Sequence, residues 1–135
     1  MEIKTTSKLS AKAIGYIFCG AFEGGSNYWM QSADLVTSEH TLDPNNNLVW
    51  WGHDELYEKP FTFEVGYDDP DQEEGNGEGR KTLSYPDDVQ KGLQIMAEKY
   101  PSHFAELADE ENGNPDAITY DVAMQCIILG DLVYG

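Results

Sequence analysis

Hydrophobic positions near the start of the chain recur with the spacing of a helix. Between residues 11 and 23 they fall on one face with a period near 3.6: Ile14, Ile17, Phe18, Ala21 and Phe22. Ser10 is a natural N-cap for this helix. Gly24 or Gly25 can supply the left-handed residue that ends it. The pattern predicts an amphipathic N-terminal helix that ends at "EGG".

The middle of the chain has the patterns of strands. Residues 27–36, "NYWMQSADLV", are rich in aromatic and branched side chains, and residues 61–67, "FTFEVGY", alternate apolar with polar positions. A turn at "DPNNN" and a short apolar run at 48–51 lie between these two segments. The polar run 68–79 then separates the second strand from a returning strand at 80–85. We predict a small antiparallel sheet with a long hairpin loop.

The last third of the chain is predicted to be helical. Pro86 stands near a helix start, and the apolar face of that helix contains Val89, Leu93, Met96, Ala97 and Tyr100. Pro101 interrupts the pattern, and a further turn or two follows. A final helix is predicted with Asn114 as its cap and Pro115 at its first position. Its expected buried stripe comprises Ile118, Val122, Cys126 and Leu129, widened by Met124, Ile127 and Ile128.

The order of these elements predicts an α+β fold, with a small antiparallel sheet packed against an N-terminal helix and two or three C-terminal helices. A chain of 135 residues suits one domain, and we see no repeat or linker. Residues 1–135 are therefore predicted to form a single α+β domain. Cys19 and Cys126 lie in apolar helical patterns, which favours reduced core thiols over a disulfide between them.

Charge is the unusual feature of the composition. The chain has 25 acidic and 8 basic residues, a net charge of -17. Such a field repels nucleic acid and anionic membranes, and it attracts basic protein surfaces. Residues 54–78 hold ten acids and one lysine, a local net of -9, and acids continue without any basic residue after Lys99. The competing interpretation is that the charge only keeps the protein dispersed.

Lysines ahead of "AIGYIFCGAF" resemble the start of a secretory signal. The apolar part is short, however, it contains Gly15 and Gly20, and no A-x-A cleavage site follows. No apolar run approaches the roughly 20 residues that a membrane span needs. We expect a cytoplasmic protein with no membrane partner.

Patterns for catalysis and metal binding are weak. The three histidines are scattered, and "HDE" at 53–55 is the nearest approach to a metal cluster. The loop 69–80 resembles a calcium loop, but Glu74 occupies the glycine position and Arg80 the closing acid position. No nucleophile motif or phosphate-binding glycine loop occurs. We expect no enzyme activity, no cofactor and no metal.

Two segments, "TTSKLSAKAIGYIFCGAFEGGSNYWMQ" and "DAITYDVAMQCIILGDLVYG", resemble a family of small accessory proteins of tailed bacteriophages and prophages. The resemblance covers both ends, about a third of the chain, and leaves out the acidic middle. It implies a phage origin, an accessory role and a host-cell cytoplasmic location, and it assigns no catalytic residue. The residues that carry it are Ala21, Glu23, Gly24, Gly25, Tyr28, Trp29, Asp116, Ala117, Asp121, Gln125, Gly130, Val133, Tyr134 and Gly135.

The leading functional hypothesis is an inhibitor of a host defence protein or host nucleic-acid-binding protein. The acidic zones would present carboxylates as DNA presents phosphates, and so engage a basic host surface without direct nucleic-acid contact. The predicted protein-binding residues are Asp68, Asp69, Asp71, Glu73 and Glu74.

The alternative hypothesis is a sponge that sequesters a small signalling nucleotide in a pocket between the first and last helices. Its predicted ligand-binding residues are Ser26, Asn27, Tyr28, Trp29 and Gln125, which offer aromatic faces and amides. The structural alternative makes Tyr28 and Trp29 core residues, while Asp121 and Gln125 satisfy the backbone or each other. A structural or regulatory phage protein with incidental charge, and a homo-oligomer, stay open.

Overall fold

Ser10 begins the first helix as predicted. In the computed structural model, which describes residues 9–43, 45, 48–69 and 78–135, Ser10 Oγ accepts a hydrogen bond from Ala13 N–H at 3.1 Å. Helix α1 spans Ala11–Gly20. The predicted apolar face is buried along its whole length, which confirms the helical pattern.

The end of α1 differs from the prediction. Residues Ala21–Gly25 continue as a wider π turn, in which Ser26 N–H donates to Ala21 O at 2.9 Å, a bond five residues long. Gly24 has a φ of 170°, which is extended backbone, and Gly130 is the one glycine of the described chain in the left-handed region. The predicted left-handed cap at Gly24 or Gly25 is wrong because the helix widens here.

Three strands form one antiparallel sheet in the order β1-β2-β3. Strand β1 is Met30–Ser38, β2 is Phe61–Asp68 and β3 is Glu78–Tyr85. The β2–β3 register pairs Phe61 with Tyr85 and Asp68 with Glu78, as in a hairpin. The antiparallel sheet is therefore confirmed, although β1 starts later than predicted and the predicted apolar run at 48–51 leads into a short 3-10 turn, Trp50–Gly52.

The remaining helices complete the predicted α+β fold. They are α2, Asp87–Lys99, α3, Pro101–Ala108, and α4, Ala117–Leu129. Helix α4 packs against each of the other three, and an unbroken run from Asp121 to Ile128 is buried, so it is enclosed nearly all round. Gly92 of α2 permits close packing, because a Cβ there would lie 2.3 Å from Ile127 Cα.

The first turn of α4 corrects two predictions. The helix is capped by Asp116, whose carboxylate accepts from Thr119 N–H at 3.0 Å, and not by Asn114 with Pro115 at the first position. Ile118 was expected in the buried stripe, yet it is 64% exposed. It lies on the outward side of this first turn, where the helical period alone cannot tell core from surface.

Both cysteines are free thiols, and no disulfide joins them. Burial raises the pKa of Cys126 to about 12. Burial, followed by the negative charge of Glu23, raises the pKa of Cys19 to about 11. These thiols stay protonated at neutral pH, which makes them poor nucleophiles.

Candidate functional site

Asp121 is a buried carboxylate surrounded by neutral hydrogen-bond donors. Its Oδ1 accepts from Ser26 Oγ and from Trp29 Nε1, both at 2.8 Å. Its Oδ2 accepts from Tyr28 OH at 2.5 Å and from Gln125 Nε2 at 3.0 Å. Four donors thus satisfy a side chain that is only 7% exposed, which offsets much of the cost of burying it. We call these five residues the Asp121 cluster.

The turn that follows α1 places three of the donors. Trp29 N–H bonds to Ser26 O at 3.2 Å, so residues 26–29 form one helical turn. Ser26 and Trp29 are three residues apart and therefore face α4 together. Gly25 allows the turn to approach that closely, since a Cβ there would lie 2.7 Å from Ala117 O.

Gln125 holds the C-terminal segment against α4. Its Oε1 accepts from the N–H groups of Val133 and Tyr134, both at 2.8 Å, and its Nε2 also donates to Tyr134 O at 3.1 Å. Gly130, with a φ of 78°, ends the helix in the left-handed conformation and turns the chain back. The segment 131–135 consequently returns alongside the helix that precedes it.

Tyr134 links this segment to the sheet. Its ring stacks on Trp29, with 5.9 Å between centroids and 15° between planes. Its hydroxyl donates to Asp68 O at 2.6 Å, and Asp68 N–H in turn donates to Trp29 O at 2.8 Å. The β2–β3 hairpin, which we call the acidic hairpin, is therefore joined at its Asp68 end to the Asp121 cluster by these hydrogen bonds.

The predicted ligand-binding residues fall into two groups. Ser26, Trp29 and Gln125 are at most 1% exposed. In this conformation they are therefore not accessible to a ligand and act as buried structural residues beneath the site. Asn27 is exposed and borders a separate, smaller recess. Tyr28 has an exposed ring, while burial of its hydroxyl and the bond to Asp121 raise its pKa to about 12. The geometry matches the structural alternative except at Tyr28.

A recess of about 510 Å³ opens beside Tyr28. Its walls include Ile118, Leu132 and Tyr134, with Asp121 at its inner surface and His103 among the lining side chains. Sequence reasoning missed the part that residues beyond α4 play in this recess. The signal was Gly130, because a left-handed cap reverses the chain and brings residue 134 back to the helix. We call this cavity the Tyr28 recess.

Of the five predicted protein-binding acids, Asp68 and Asp69 are among the residues that the structure describes. Asp68 is exposed, and its Oδ1 accepts from Gln31 Nε2 at 2.6 Å. Asp71, Glu73 and Glu74 lie outside the described residues.

Several basic side chains are held by the chain itself. Arg80 pairs with Glu64, and Lys99 with Asp131, each at 3.0 Å. Lys81 Nζ donates to Ile128 O at 2.6 Å. These contacts place each of the three cations beside a carboxylate or carbonyl oxygen of the chain, and the side chains of Arg80 and Lys99 stay more than half exposed.

In the described ranges, no group of three or more His, Cys, Asp or Glu side chains is placed to hold a metal ion. At the "HDE" segment, His53 is buried, with Nε2 3.2 Å from Leu48 O and Nδ1 3.3 Å from Glu55. Both ring nitrogens thus have partners within the chain.

No protein-family model matches the chain, and no curated protein or solved structure matches it significantly. The resemblance to phage accessory proteins therefore stays a prediction. Within the described part of the chain, no helix has the length and apolar character needed to cross a membrane.

Proposed function

We propose that the protein is a phage-encoded acidic accessory protein that inhibits a host defence or nucleic-acid-binding protein by binding its basic surface, in the host cytoplasm. The proposal rests on one observation, which is that the acidic side chains lie at the surface. Among the described residues Asp121 is the one acidic side chain that is buried, in a chain of net charge -17. Surface carboxylates attract a basic partner and accelerate its association.

The β2–β3 hairpin is the strongest candidate for the contact. Its ladder ends at the pair Asp68 and Glu78, both exposed. Four further acids lie between them in the sequence: Asp69, Asp71, Glu73 and Glu74. The Tyr134 hydroxyl fixes the base through Asp68 O. A fixed base reduces the ordering cost that binding has to overcome.

The absence of enzyme activity and of a cofactor is part of the same proposal. The carboxylate of Asp121 already accepts four hydrogen bonds, so it has little capacity left for acid–base chemistry. We assign the cluster a positioning role, in which it fixes the turn at residues 26–29 and the segment 131–135.

The test compares two variants with the same net charge of -12. One converts the five hairpin acids to amides: Asp68→Asn, Asp69→Asn, Asp71→Asn, Glu73→Gln and Glu74→Gln. The control converts five acids elsewhere: Asp34→Asn, Glu39→Gln, Asp43→Asn, Asp87→Asn and Glu98→Gln. Tagged proteins are recovered from phage-infected host cells, and partners are identified by native mass spectrometry.

We expect a basic host protein on the wild type and on the control, and its loss from the hairpin variant. The complex should also dissociate as salt is raised, because surface charges are screened. Equal retention by both variants would remove the hairpin from the proposal, and absence of any basic partner from the wild type would reject the proposed function itself.

The nucleotide sponge keeps one supporting observation, the Tyr28 recess of about 510 Å³, a volume in the range of small-ligand sites. No lysine or arginine is among the described residues that line it, and phosphates are usually bound by such cations. A nucleotide adduct in the same mass spectra would favour the sponge over the inhibitor.

A further inference from the structure

The Tyr28 recess is surrounded by apolar side chains that the fold leaves in solvent. Tyr28 is 57% exposed, Ile118 64% and Leu132 37%, and all three line the recess. They come from three separate parts of the chain: the turn after α1, the first turn of α4, and the segment beyond α4. Clustered exposed apolar side chains on a soluble protein are typical of a contact surface, and here they flank a cavity.

The aromatic walls of the recess are held rigidly. Tyr28 OH is bonded to Asp121 Oδ2 and accepts from Gln125 Nε2 at 3.1 Å, while Tyr134 is stacked on buried Trp29. The rings of Tyr28 and Tyr134 meet edge to face, with centroids 6.3 Å apart and planes at 88°. The recess therefore presents a preformed aromatic corner, which lowers the ordering cost of binding.

The charge around this corner selects a cation. The Asp121 carboxylate contributes to the lining, and no lysine or arginine is among the described residues that line the recess. The backbone carbonyl of Asp68 accepts from Tyr134 OH, so this exposed acidic residue is next to the aromatic corner in the fold. An electron-rich ring face beside carboxylates attracts a guanidinium more strongly than any anion or neutral group.

We propose that the Tyr28 recess is the centre of the partner interface and receives an arginine side chain from the basic host protein. This inference rests on the proposed function and deepens it, since it names the chemistry of the contact. The guanidinium lies over the Tyr28 ring, and the exposed side chains of Ile118 and Leu132 cover the aliphatic stem. Exposed Asp68, whose backbone carbonyl accepts from Tyr134 OH, supplies a charged residue at the rim, as such interfaces carry around an apolar centre.

The first test uses a defined probe and does not need the partner. Backbone amide NMR signals are followed while the peptide acetyl-Gly-Gly-Arg-Gly-Gly-amide is added, and the control peptide carries neutral citrulline in place of arginine. We expect saturable shifts at residues 28, 118, 132 and 134 with the arginine peptide, and at least a tenfold weaker response with citrulline. Equal responses to both peptides, or shifts spread over the acidic surface without saturation, would overturn the inference.

A pair of variants distinguishes binding in the recess from nonspecific attraction of the peptide to the overall negative charge. Ile118→Lys places a cation at the recess, while Val36→Lys makes the same charge change at another exposed position, 52% exposed on β1. We expect Ile118→Lys to abolish the localised shifts and Val36→Lys to keep them. Matching spectra of the unliganded variants show that both still fold. Retention of the shifts in Ile118→Lys would contradict the proposed contact.

The failure of this inference is distinguishable from failure of the proposed function. If a basic host protein binds the wild type and Ile118→Lys equally, and the arginine peptide gives no localised shifts, the recess is not the interface and the inhibitor proposal stands. If the peptide binds in the recess but no basic host protein is recovered, the recess binds arginine and the inhibitor proposal fails. Saturable binding of a nucleotide in the same recess, without arginine binding, would reject the arginine contact in favour of the sponge.

Discussion

The indole nitrogen of Trp29 donates a 2.8 Å hydrogen bond to Asp121 Oδ1, across 92 residues of sequence. Through this bond and that from Ser26, the turn after α1 is joined to the buried helix α4. The two terminal segments on which the resemblance to phage proteins rests are therefore in contact. Their shared residues explain how the ends of the chain are held together, and Tyr28 and Tyr134 among them also line the recess.

Asp121→Asn is predicted to destabilise the protein by about 3 kcal/mol, because a donor NH2 group replaces an oxygen that accepts from two neighbours in a buried site. Urea unfolding followed by circular dichroism measures the change. Asp34→Asn, at an exposed position on β1, removes the same charge and should stay within about 0.5 kcal/mol of wild type. Equal effects of the two substitutions would show that the cluster contributes nothing beyond charge.

Gln125→Glu is predicted to release the segment 131–135 from α4. The new carboxylate would face Asp121 at the 3.0 Å separation now bridged by an N–H donor, and like charges at this distance repel strongly when buried. Hydrogen exchange of the Val133 and Tyr134 amides, which now donate to Gln125, should accelerate at least tenfold.

Gln94→Glu is the matched control for Gln125→Glu. Gln94 also donates to an acid four residues away, Glu98, at 3.0 Å, but this pair is exposed. The like-charge cost should be only about 0.5 kcal/mol there. Unchanged hydrogen exchange at residues 133 and 134 in Gln125→Glu would mean that the hydrogen bonds of Gln125 do not hold the segment 131–135 against α4.

Gly92→Ala is predicted to destabilise the protein by about 2 kcal/mol, although alanine is favoured over glycine within a helix by about 1 kcal/mol. The added Cβ would meet the backbone of Ile127 at 2.3 Å from its Cα, so α2 and α4 must separate. Thermal unfolding provides the measurement, with exposed Lys91→Ala as control. A stabilised Gly92→Ala variant would show that the two helices move apart at little cost.

The local signals in the sequence account for most of the fold and for which residues meet in the Asp121 cluster, but not for the geometry of that cluster or of the recess. The Ser10 cap and the apolar face of α1 depend on residues within one turn of each other, so a sequence pattern contains them. The exposure of Ile118 depends on which neighbours cover the first turn of α4. The spacing of hydrophobic residues in the sequence does not show which neighbours these are. Three of the four donors to Asp121 lie more than 90 residues away in the sequence, and their hydrogen bonds form only once α1 and α4 are packed together.

Cysteine reactivity provides a separate check of the core. Because their pKa values are raised to about 11 and about 12, Cys19 and Cys126 should react slowly with a disulfide reagent at neutral pH. Both should react at the rate of a free thiol in concentrated urea. Fast reaction of the native protein would place at least one thiol in a more open environment than the fold describes.

Alkaline pH is predicted to destabilise the fold through Tyr28, whose hydroxyl is hydrogen-bonded to Asp121, and through buried Tyr57. Burial and the bond to Asp121 raise the pKa of Tyr28 to about 12, against an ordinary value of 10.0. Burial is also the main cause of the raised pKa of Tyr57. Above the unfolded value the unfolded chain binds fewer protons than the folded one. The contribution of these tyrosines to stability is therefore constant below about pH 9 and falls as the pH rises towards 12.

Urea midpoints measured between about pH 7 and pH 11 test this relation. Tyr28→Phe should flatten the alkaline decline while lowering stability at neutral pH, because it removes both the ionisable hydroxyl and its hydrogen bonds to Asp121 and Gln125. Tyr16→Phe removes a hydroxyl from an exposed ring outside the cluster and should leave the curve close to wild type. If Tyr28→Phe and wild type decline in parallel, the Tyr28 hydroxyl is not held by Asp121 as the structure describes, and the rigid aromatic corner proposed for arginine loses its support.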